Sequence, residues 1–154
     1  MLTTMAPPAS AGTSYEDDVC SSRGNRYCFR IHYSSRSETT QQSKSDCFVA
    51  NKSVWDHWGY TVSGGAHVIR YVFGSFPSDA YGGMRHPCSG AGGGQAAVDN
   101  AASAWNQDPR ARYTVYSGSG YSGSKKTYPK ADGIARNFSK TKLKNKNSSH
   151  KRTS

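Results

Sequence analysis

The chain has 154 residues, 34% of them hydrophobic, and with a mean hydropathy of −0.77 it can bury one modest core but not two. It carries 20 Lys and Arg against 10 Asp and Glu, which gives a formal net charge of +10. No stretch of the sequence approaches the length of a membrane-spanning helix, so these properties exclude a two-domain architecture and a helical membrane protein.

Residues 1–11 have the character of the end of a secretory signal. A short apolar stretch is followed by Pro7-Pro8 and by the small residues Ala9-Ser10-Ala11, which fit a signal-peptidase cleavage site. No basic segment precedes them and the apolar part is short, so either the true start codon lies upstream or the segment is only a flexible leader. The four cysteines favour the first alternative, because disulfides need an oxidising compartment. The sequence predicts a secreted mature chain that begins at Gly12.

From residue 20 onward the periodicity is that of strands. The stretches 27–33, 67–73 and 112–116 are short, rich in β-branched and aromatic residues, and bounded by turn-forming residues. The alanine-rich segment 95–105 predicts a short helical turn between strands. Many short strands with glycine and serine turns favour an all-β sandwich with a Greek-key arrangement.

The four cysteines predict two disulfides if the protein resides in an oxidising compartment, and they allow three connectivities. We favour Cys20 with Cys28, because these residues flank a short turn. Cys47 would then pair with Cys88 and tie one part of the chain to another. Free buried thiols are the alternative, and the spacings are not those of a zinc site.

Two signals recur along the chain. Serines at 53, 103 and 149 stand in similar stretches about 50 residues apart, which indicates a repeated supersecondary unit. An aromatic, an aromatic five positions later and a glycine two further on occur twice. These residues are Phe76, Tyr81 and Gly83, and then Tyr116, Tyr121 and Gly123.

With this signature the sequence resembles the βγ-crystallin superfamily. More closely, it is similar to small secreted actinobacterial proteins grouped with the I36 peptidase inhibitors. The resemblance implies a βγ-crystallin-like core over 12–124, with the basic segment 125–154 completing the last repeat. It also implies a calcium site, because Asp99, Asn100 and Ser103 match the superfamily's calcium signature. With a single carboxylate, such a site would be weak.

The function predicted from this resemblance is peptidase inhibition, with a secreted metalloprotease as the partner and no catalytic residues. A rigid loop would enter the protease cleft like a substrate and lose little entropy on binding. Cys47, Phe48 and Val49 are the candidate inhibitory loop, since they place an apolar side chain beside a disulfide. The alternative is that Phe48 and Val49 begin a core strand.

The positive charge is concentrated at the C-terminal end. Residues 125–154 hold 10 of the 20 basic residues and a single acid, Asp132. Four alternating lysines would share one face of a strand, either to bind an anionic cell-wall polymer or to protect a solvated edge strand. Nucleic acid is disfavoured as a partner, because no aromatic residues interleave these lysines. The four residues are Lys140, Lys142, Lys144 and Lys146.

The histidines offer a competing, enzymatic interpretation. His57 stands between Trp55 and Trp58, and a secreted ribonuclease could pair it with His32 or His67 as acid and base. No spacing in the sequence brings these histidines together. The prediction is therefore a binding protein, with a calcium-binding module, a cell-surface binder and a cationic toxin as alternatives.

Overall fold

The computed structural model of the protein describes residues 12–22, 25–77, 87–139 and 141–154. Within these ranges the chain is almost entirely β, with eleven strands in three sheets and a short 3-10 helix at Ser63–Gly65. The strands are β1 (Gly12–Glu16), β2 (Asp18–Val19), β3 (Phe29–His32), β4 (Cys47–Ala50), β5 (Gly59–Val62), β6 (His67–Tyr71), β7 (Ser103–Asn106), β8 (Arg112–Gly118), β9 (Ser122–Tyr128), β10 (Arg136–Asn137) and β11 (Ser149–Thr153).

The all-β prediction is confirmed, and the three stretches predicted as strands contain β3, β6 and β8. Strand formation there follows from alternating β-branched and aromatic residues between turns. None of the helical structure in the described ranges has the length and apolar character that a membrane crossing requires. The predicted signal remnant, 1–11, lies outside the described residues.

The central sheet has five strands in the order β10-β7-β3-β4-β2. Its pairs are antiparallel except for β2 and β4, which run parallel. Strands β3, β4 and β7 are buried along their whole length. Because they are covered on both faces, they place the core of the protein around this sheet.

Two three-stranded sheets flank the central one. The first has the order β1-β6-β5, with β1 parallel to β6 and β5 antiparallel to it. The second is antiparallel, with the order β11-β8-β9. Its β8–β9 hairpin is one of the two places where the aromatic and glycine signature was found.

Aromatic rings fill the core. Phe29 stacks on Tyr113 with ring centroids 4.6 Å apart, and Phe48 contacts Tyr71 at 4.8 Å. All four of these side chains are buried, and burial of large rings is a major source of stability in a chain this small.

Both predicted disulfides are present. Cys20 is bonded to Cys28 and Cys47 to Cys88, and the structure has no free cysteine. The second bond joins the start of β4, in the central sheet, to Cys88, 41 residues further along the chain.

The helical turn expected within 95–105 is wrong. The segment runs without helix into β7, and Asp99 has a positive φ of 59°, which a helix does not accommodate. The amide side chain of Asn147 accepts a hydrogen bond from the main-chain N–H of Ala101 at 2.9 Å. The alanines there are small residues packed in the core rather than helix formers.

The basic segment 125–154 is part of the same core. Phe138, Leu143 and His150 are completely buried, and β11 pairs with β8. Asp108, itself buried, accepts hydrogen bonds from the Tyr113 hydroxyl and from Arg152 Nε, at 2.7 and 3.0 Å. The last strand is therefore fixed to the domain by side chains as well as by its ladder.

Candidate binding surface

The proposed inhibitory loop is wrong, because Cys47, Phe48 and Val49 form most of β4. All three are 0–1% exposed, and β4 lies between β3 and β2 in the central sheet. A peptidase cannot reach side chains in this position. The alternative interpretation, a core strand, is what the structure contains.

An exposed tryptophan offers a different contact point. Trp55 is 64% exposed, although large aromatic side chains are usually covered in a small domain. Its ring meets the ring of Tyr121 edge-on at 5.3 Å, and Tyr121 in turn lies 6.1 Å from the ring of Tyr116. The ammonium group of Lys151 sits 5.7 Å above the Tyr121 ring. The result is an aromatic cluster with a cation beside it.

The main chain around Trp55 is held on several sides. Val54 exchanges two hydrogen bonds with His150, at 2.8 and 3.0 Å. The carbonyl of Trp55 accepts the N–H of Gly120 at 2.8 Å, and the N–H of His57 donates to Ser148 at 2.7 Å. We call residues 53–58 the Trp55 loop. Because its backbone is fixed, the loop presents its exposed ring with little freedom left to lose.

The second half of the surface is the turn of the β8–β9 hairpin. Tyr121 has a positive φ of 61° and Gly123 a positive φ of 86°, and the ladder is irregular between Tyr116 and Gly118. Of the first copy of the signature, only Phe76 lies within the described residues, and its main chain forms an isolated β-bridge with Cys88. Tyr81 and Gly83 lie outside the described residues.

A buried chain of hydrogen bonds joins the Trp55 loop to β11. His57 Nε2 is 2.9 Å from His150 Nδ1, and His150 Nε2 is 2.9 Å from the carbonyl of Lys52. At the other end, the amide nitrogen of Asn147 lies 2.9 Å from His57 Nδ1 and donates to the carbonyl of Ala97. Since Asn147 donates to His57, both imidazoles are satisfied only when neutral, each with its proton on Nε2.

Burial lowers the pKa of both histidines. The pKa of His57 falls well below its ordinary value. Loss of hydration is the larger cause, and the neighbouring His150 is the smaller one. Burial also lowers the pKa of His150, to about 4. The adjacent Asp56 does not orient His57, because its carboxylate accepts the N–H of Trp58 instead. These histidines are completely buried and bonded to each other, so they hold the loop in place.

Neither His32 nor His67 forms the predicted acid and base pair of a ribonuclease with His57, and His86 lies outside the described residues. His32 is completely buried against the carbonyl of Ser45, and its pKa is lowered to about 3 by burial and by the charge of Arg30. His67 lies on β6, where its Nε2 is 2.8 Å from the Ser14 hydroxyl. His32 also approaches Cys47 and Cys88, but sulfurs joined in a disulfide are not thiolate ligands for a metal.

The predicted calcium ligands are engaged in internal hydrogen bonds. The Ser103 hydroxyl is buried, donates to the carbonyl of Ser34 at 2.7 Å and lies 2.6 Å from the hydroxyl of Ser43. The Asn100 amide donates to the carbonyl of Ala96, and the carboxylate of Asp99 accepts from Ser148 at 3.4 Å. Ser103 serves here to fasten the start of β7.

The lysines expected on one face of a strand are arranged differently. Residues 141–146 form turns, so the predicted strand is wrong there, and Lys140 lies outside the described residues. Lys142, Lys144 and Lys146 are exposed, whereas Leu143 between them is buried in the core. Burial of Leu143 is what requires the chain to turn at this point.

Comparison with known proteins gives no relative. No family model, no curated protein and no solved structure matches the chain. In the sequence, the two tryptophans around His57 and the hairpin containing Tyr121 are two separate signals. The sequence does not predict the contact of Trp55 with Tyr121 or the pairing of His57 with His150, because each contact joins residues more than 60 positions apart.

Proposed function

We propose that the protein is an extracellular inhibitor of a peptidase and that the Trp55 loop, not the Cys47 segment, is the part that docks. The observation that carries the proposal is an exposed tryptophan on a loop whose backbone is pinned to β11 and to the β8–β9 turn. Tryptophan and tyrosine dominate the energetics of protein interfaces, and a rigid loop loses little entropy on binding.

The preferred target is a metallopeptidase with an apolar subsite and an acidic surface around its cleft. Trp55 supplies the apolar group, as Phe48 was expected to do. The surroundings supply the positive charge, since Lys151 lies against Tyr121 and the chain carries a net charge of +10. Charge of this kind increases the rate of encounter more than the final affinity.

Two disulfides support this use of the fold. Covalent links restrict the unfolded chain and keep the domain closed in the presence of a peptidase. They also fit an oxidising, extracellular compartment.

The test is a panel of secreted metallopeptidases and serine peptidases assayed with the intact protein. We expect inhibition of an apolar-preferring metallopeptidase at micromolar concentration or below, with the inhibitor recovered uncleaved. Reduced and alkylated protein is the control and should not inhibit. If no peptidase on the panel is inhibited, or if the protein is digested as a substrate, the proposal is wrong.

An anionic cell-surface polymer is the second candidate partner. Exposure of Lys142, Lys144 and Lys146 on the turn before β11 favours it. Salt-sensitive retention on an immobilised teichoic acid, weakened when all three are replaced by glutamine, would support this candidate. Retention unaffected by that replacement would exclude these lysines as the contact.

A further inference from the structure

A cleft of about 330 Å³ opens on the surface between residues 34–37 and residues 89–91, with Gln42, Lys44 and Ser45 completing its walls. It shares no residue with the Trp55 loop. Its volume falls in the range of sites that hold small ligands. Neither the predicted inhibitory activity nor the lysines of residues 140–146 account for it.

The charged side chains among the lining residues are both basic, Arg36 and Lys44. The acid that follows Ser45 in the sequence has partners of its own. Asp46 is buried and accepts hydrogen bonds from the Ser75 hydroxyl and the Gly90 N–H, at 2.8 and 3.1 Å. The cleft therefore presents positive charge that the described residues do not neutralise.

Further positive charge lies behind Arg36. The pKa of Lys126 is lowered, first by burial and then by the charges of Arg136 and Arg36. Arg136 is paired with Asp132, whereas Lys126 donates to the carbonyl of Asn137 at 2.9 Å. Repulsion between Lys126 and Arg36 would be relieved by an anion placed next to the guanidinium.

Arg36 is anchored but incompletely satisfied. Its Nη1 donates to the carbonyl of Ala135 at 2.8 Å, and its main-chain N–H donates to the side-chain oxygen of Asn137 at 2.7 Å. Its Nε is buried and has no hydrogen-bond partner among the described residues. Because Nε has no contact with solvent, a ligand in the cleft would meet the terminal nitrogens of the guanidinium, whose planar form suits two-point hydrogen bonding with an oxyanion.

The rest of the lining is hydroxyl-rich. Five serines contribute to the walls, and Ser35 and Ser89 among them are exposed to solvent. Hydroxyl groups can both donate to and accept from a polar ligand. Such a lining suits an anionic group attached to a carrier that has hydroxyls of its own, rather than an apolar molecule.

We propose that this cleft binds the sulfate or phosphate ester group of an anionic sugar chain, with Arg36 as the two-point donor and Lys44 as the second cation. The two esters share the same tetrahedral oxyanion chemistry. The inference goes beyond peptidase inhibition and does not depend on it, because a variant of the cleft leaves the Trp55 loop intact.

The test is calorimetric titration of the intact protein, at low salt, with a sulfated heparin-derived disaccharide and with a phosphorylated hexose. An unsulfated disaccharide of the same backbone is the matched ligand, and inorganic sulfate and phosphate are competitors. We expect the esters to bind, the unsulfated disaccharide not to bind, and free sulfate or phosphate to compete. The ester that binds more tightly distinguishes the two sources.

Replacement of Lys44 by glutamine should weaken ester binding about tenfold, the loss of one charge-assisted contact. Lys44 is exposed, so this variant should fold normally. Arg36→Gln should weaken binding at least as much, with melting temperature as its folding control, because Arg36 also holds Ala135. Lys142→Gln removes the same charge from an exposed turn and should change binding less than twofold.

Four results would overturn the proposal. They are absence of binding by both esters, equal binding of the unsulfated disaccharide, failure of inorganic sulfate and phosphate to compete, and a Lys142→Gln effect as large as that of Lys44→Gln.

Discussion

Asn147 determines the chemistry of the buried histidines at the scale of single residues. Its side chain makes three hydrogen bonds, accepting from the N–H of Ala101 and donating to His57 and to the carbonyl of Ala97. Because Asn147 offers a donor to His57 Nδ1, the proton of His57 must lie on Nε2 and point at His150. A proton added to either ring would place two N–H groups face to face.

Acid should therefore unfold the protein. Burial lowers the pKa values of His32, His57 and His150 in the folded state, to about 3 for His32 and about 4 for His150. The unfolded chain takes up protons below about pH 6.5, and the folded chain does not, so stability falls as pH falls below that value. At pH 5 the loss is about 2 kcal/mol for each of His32 and His150, and His57 adds to it in the same direction.

Urea unfolding between pH 7.5 and pH 5.5 checks this prediction. Burial raises the pKa values of Glu16 and Asp17, so these partly exposed carboxyls act in the opposite direction as the pH approaches their titration range. The midpoint should fall steadily over the measured range. A midpoint independent of pH there would show that the three histidines are not buried neutral.

Replacement of Asn147 by aspartate should reverse part of this dependence. The carboxylate keeps an acceptor for Ala101 but leaves His57 and Ala97 without their donor, at a cost of about 3 kcal/mol near pH 8. A negative charge beside His57 favours its protonated form, so mild acid should restore some of the lost stability. An Asn147→Asp variant that loses stability on acidification as steeply as the parent would contradict the hydrogen-bond chain.

At the scale of elements, the β8–β9 hairpin supports one side of the candidate surface. Gly123 has a φ of 86°, and a Cβ at this position would lie 2.4 Å from the Ser117 hydroxyl oxygen. The sequence signature thus correctly singled out a glycine that the hairpin needs. Its aromatic partner Tyr121 contacts both Tyr116 and Trp55.

Gly123→Ala should destabilise the domain by about 2 kcal/mol, through backbone strain and the clash with Ser117. Gly133→Ala is the control, because Gly133 also has a positive φ, 78°, but has no atom within 4 Å of the added Cβ. Thermal melting should rank Gly133→Ala as the milder change. Equal melting temperatures for the two variants would show that contact with Ser117 contributes nothing.

How far the sequence predicts these elements depends on the kind of residue involved. Strands β3, β6 and β8 were predictable, because local alternation and β-branched residues determine them. The predictions for segments 95–105 and 141–146 are wrong because long-range contacts override local preference. Asn147 binds the first from a distant part of the sequence, and burial of Leu143 bends the second.

The candidate surface was less predictable than the fold. Trp55 and Tyr121 each stand in a stretch that the sequence singles out, but the 65 residues between them carry no local signal of contact. The pairing of His57 with His150 spans 93 positions. The disulfide beside Phe48 suggests an anchored loop, but the apolar run 47–50 equally allows the core strand that the structure contains.

At the scale of the whole molecule, two disulfides of different span join the parts of the chain. Cys20–Cys28 closes a short loop, with a sequence separation of 8, and Cys47–Cys88 a longer one, with a separation of 41. In the chain-entropy account, stabilisation grows with loop length. The longer bond also links the central sheet to the segment that lines the cleft at Ser89.

Removing the longer disulfide should therefore cost more than removing the shorter one. Replacement of both cysteines by alanine should cost about 4 kcal/mol for Cys47–Cys88 and about 2.5 kcal/mol for Cys20–Cys28. Denaturant unfolding of the two double variants measures the difference. Mass spectrometry of the parent, before and after reduction, should confirm two bonds, and a thiol that can be alkylated in the native protein would contradict them.

The measurement that tests the proposed function most directly is the inhibition constant of Trp55→Ala against the peptidase that the parent inhibits best. Tyr15→Ala is the matched control, since Tyr15 is 70% exposed and lies on β1, away from the Tyr121 hairpin in the sheet order. With melting temperatures confirming that both variants fold, we predict that Trp55→Ala raises the inhibition constant about thirtyfold, equivalent to about 2 kcal/mol. Tyr15→Ala should leave it within twofold of the parent. A folded Trp55→Ala protein that inhibits as well as the parent would contradict the assignment of the Trp55 loop.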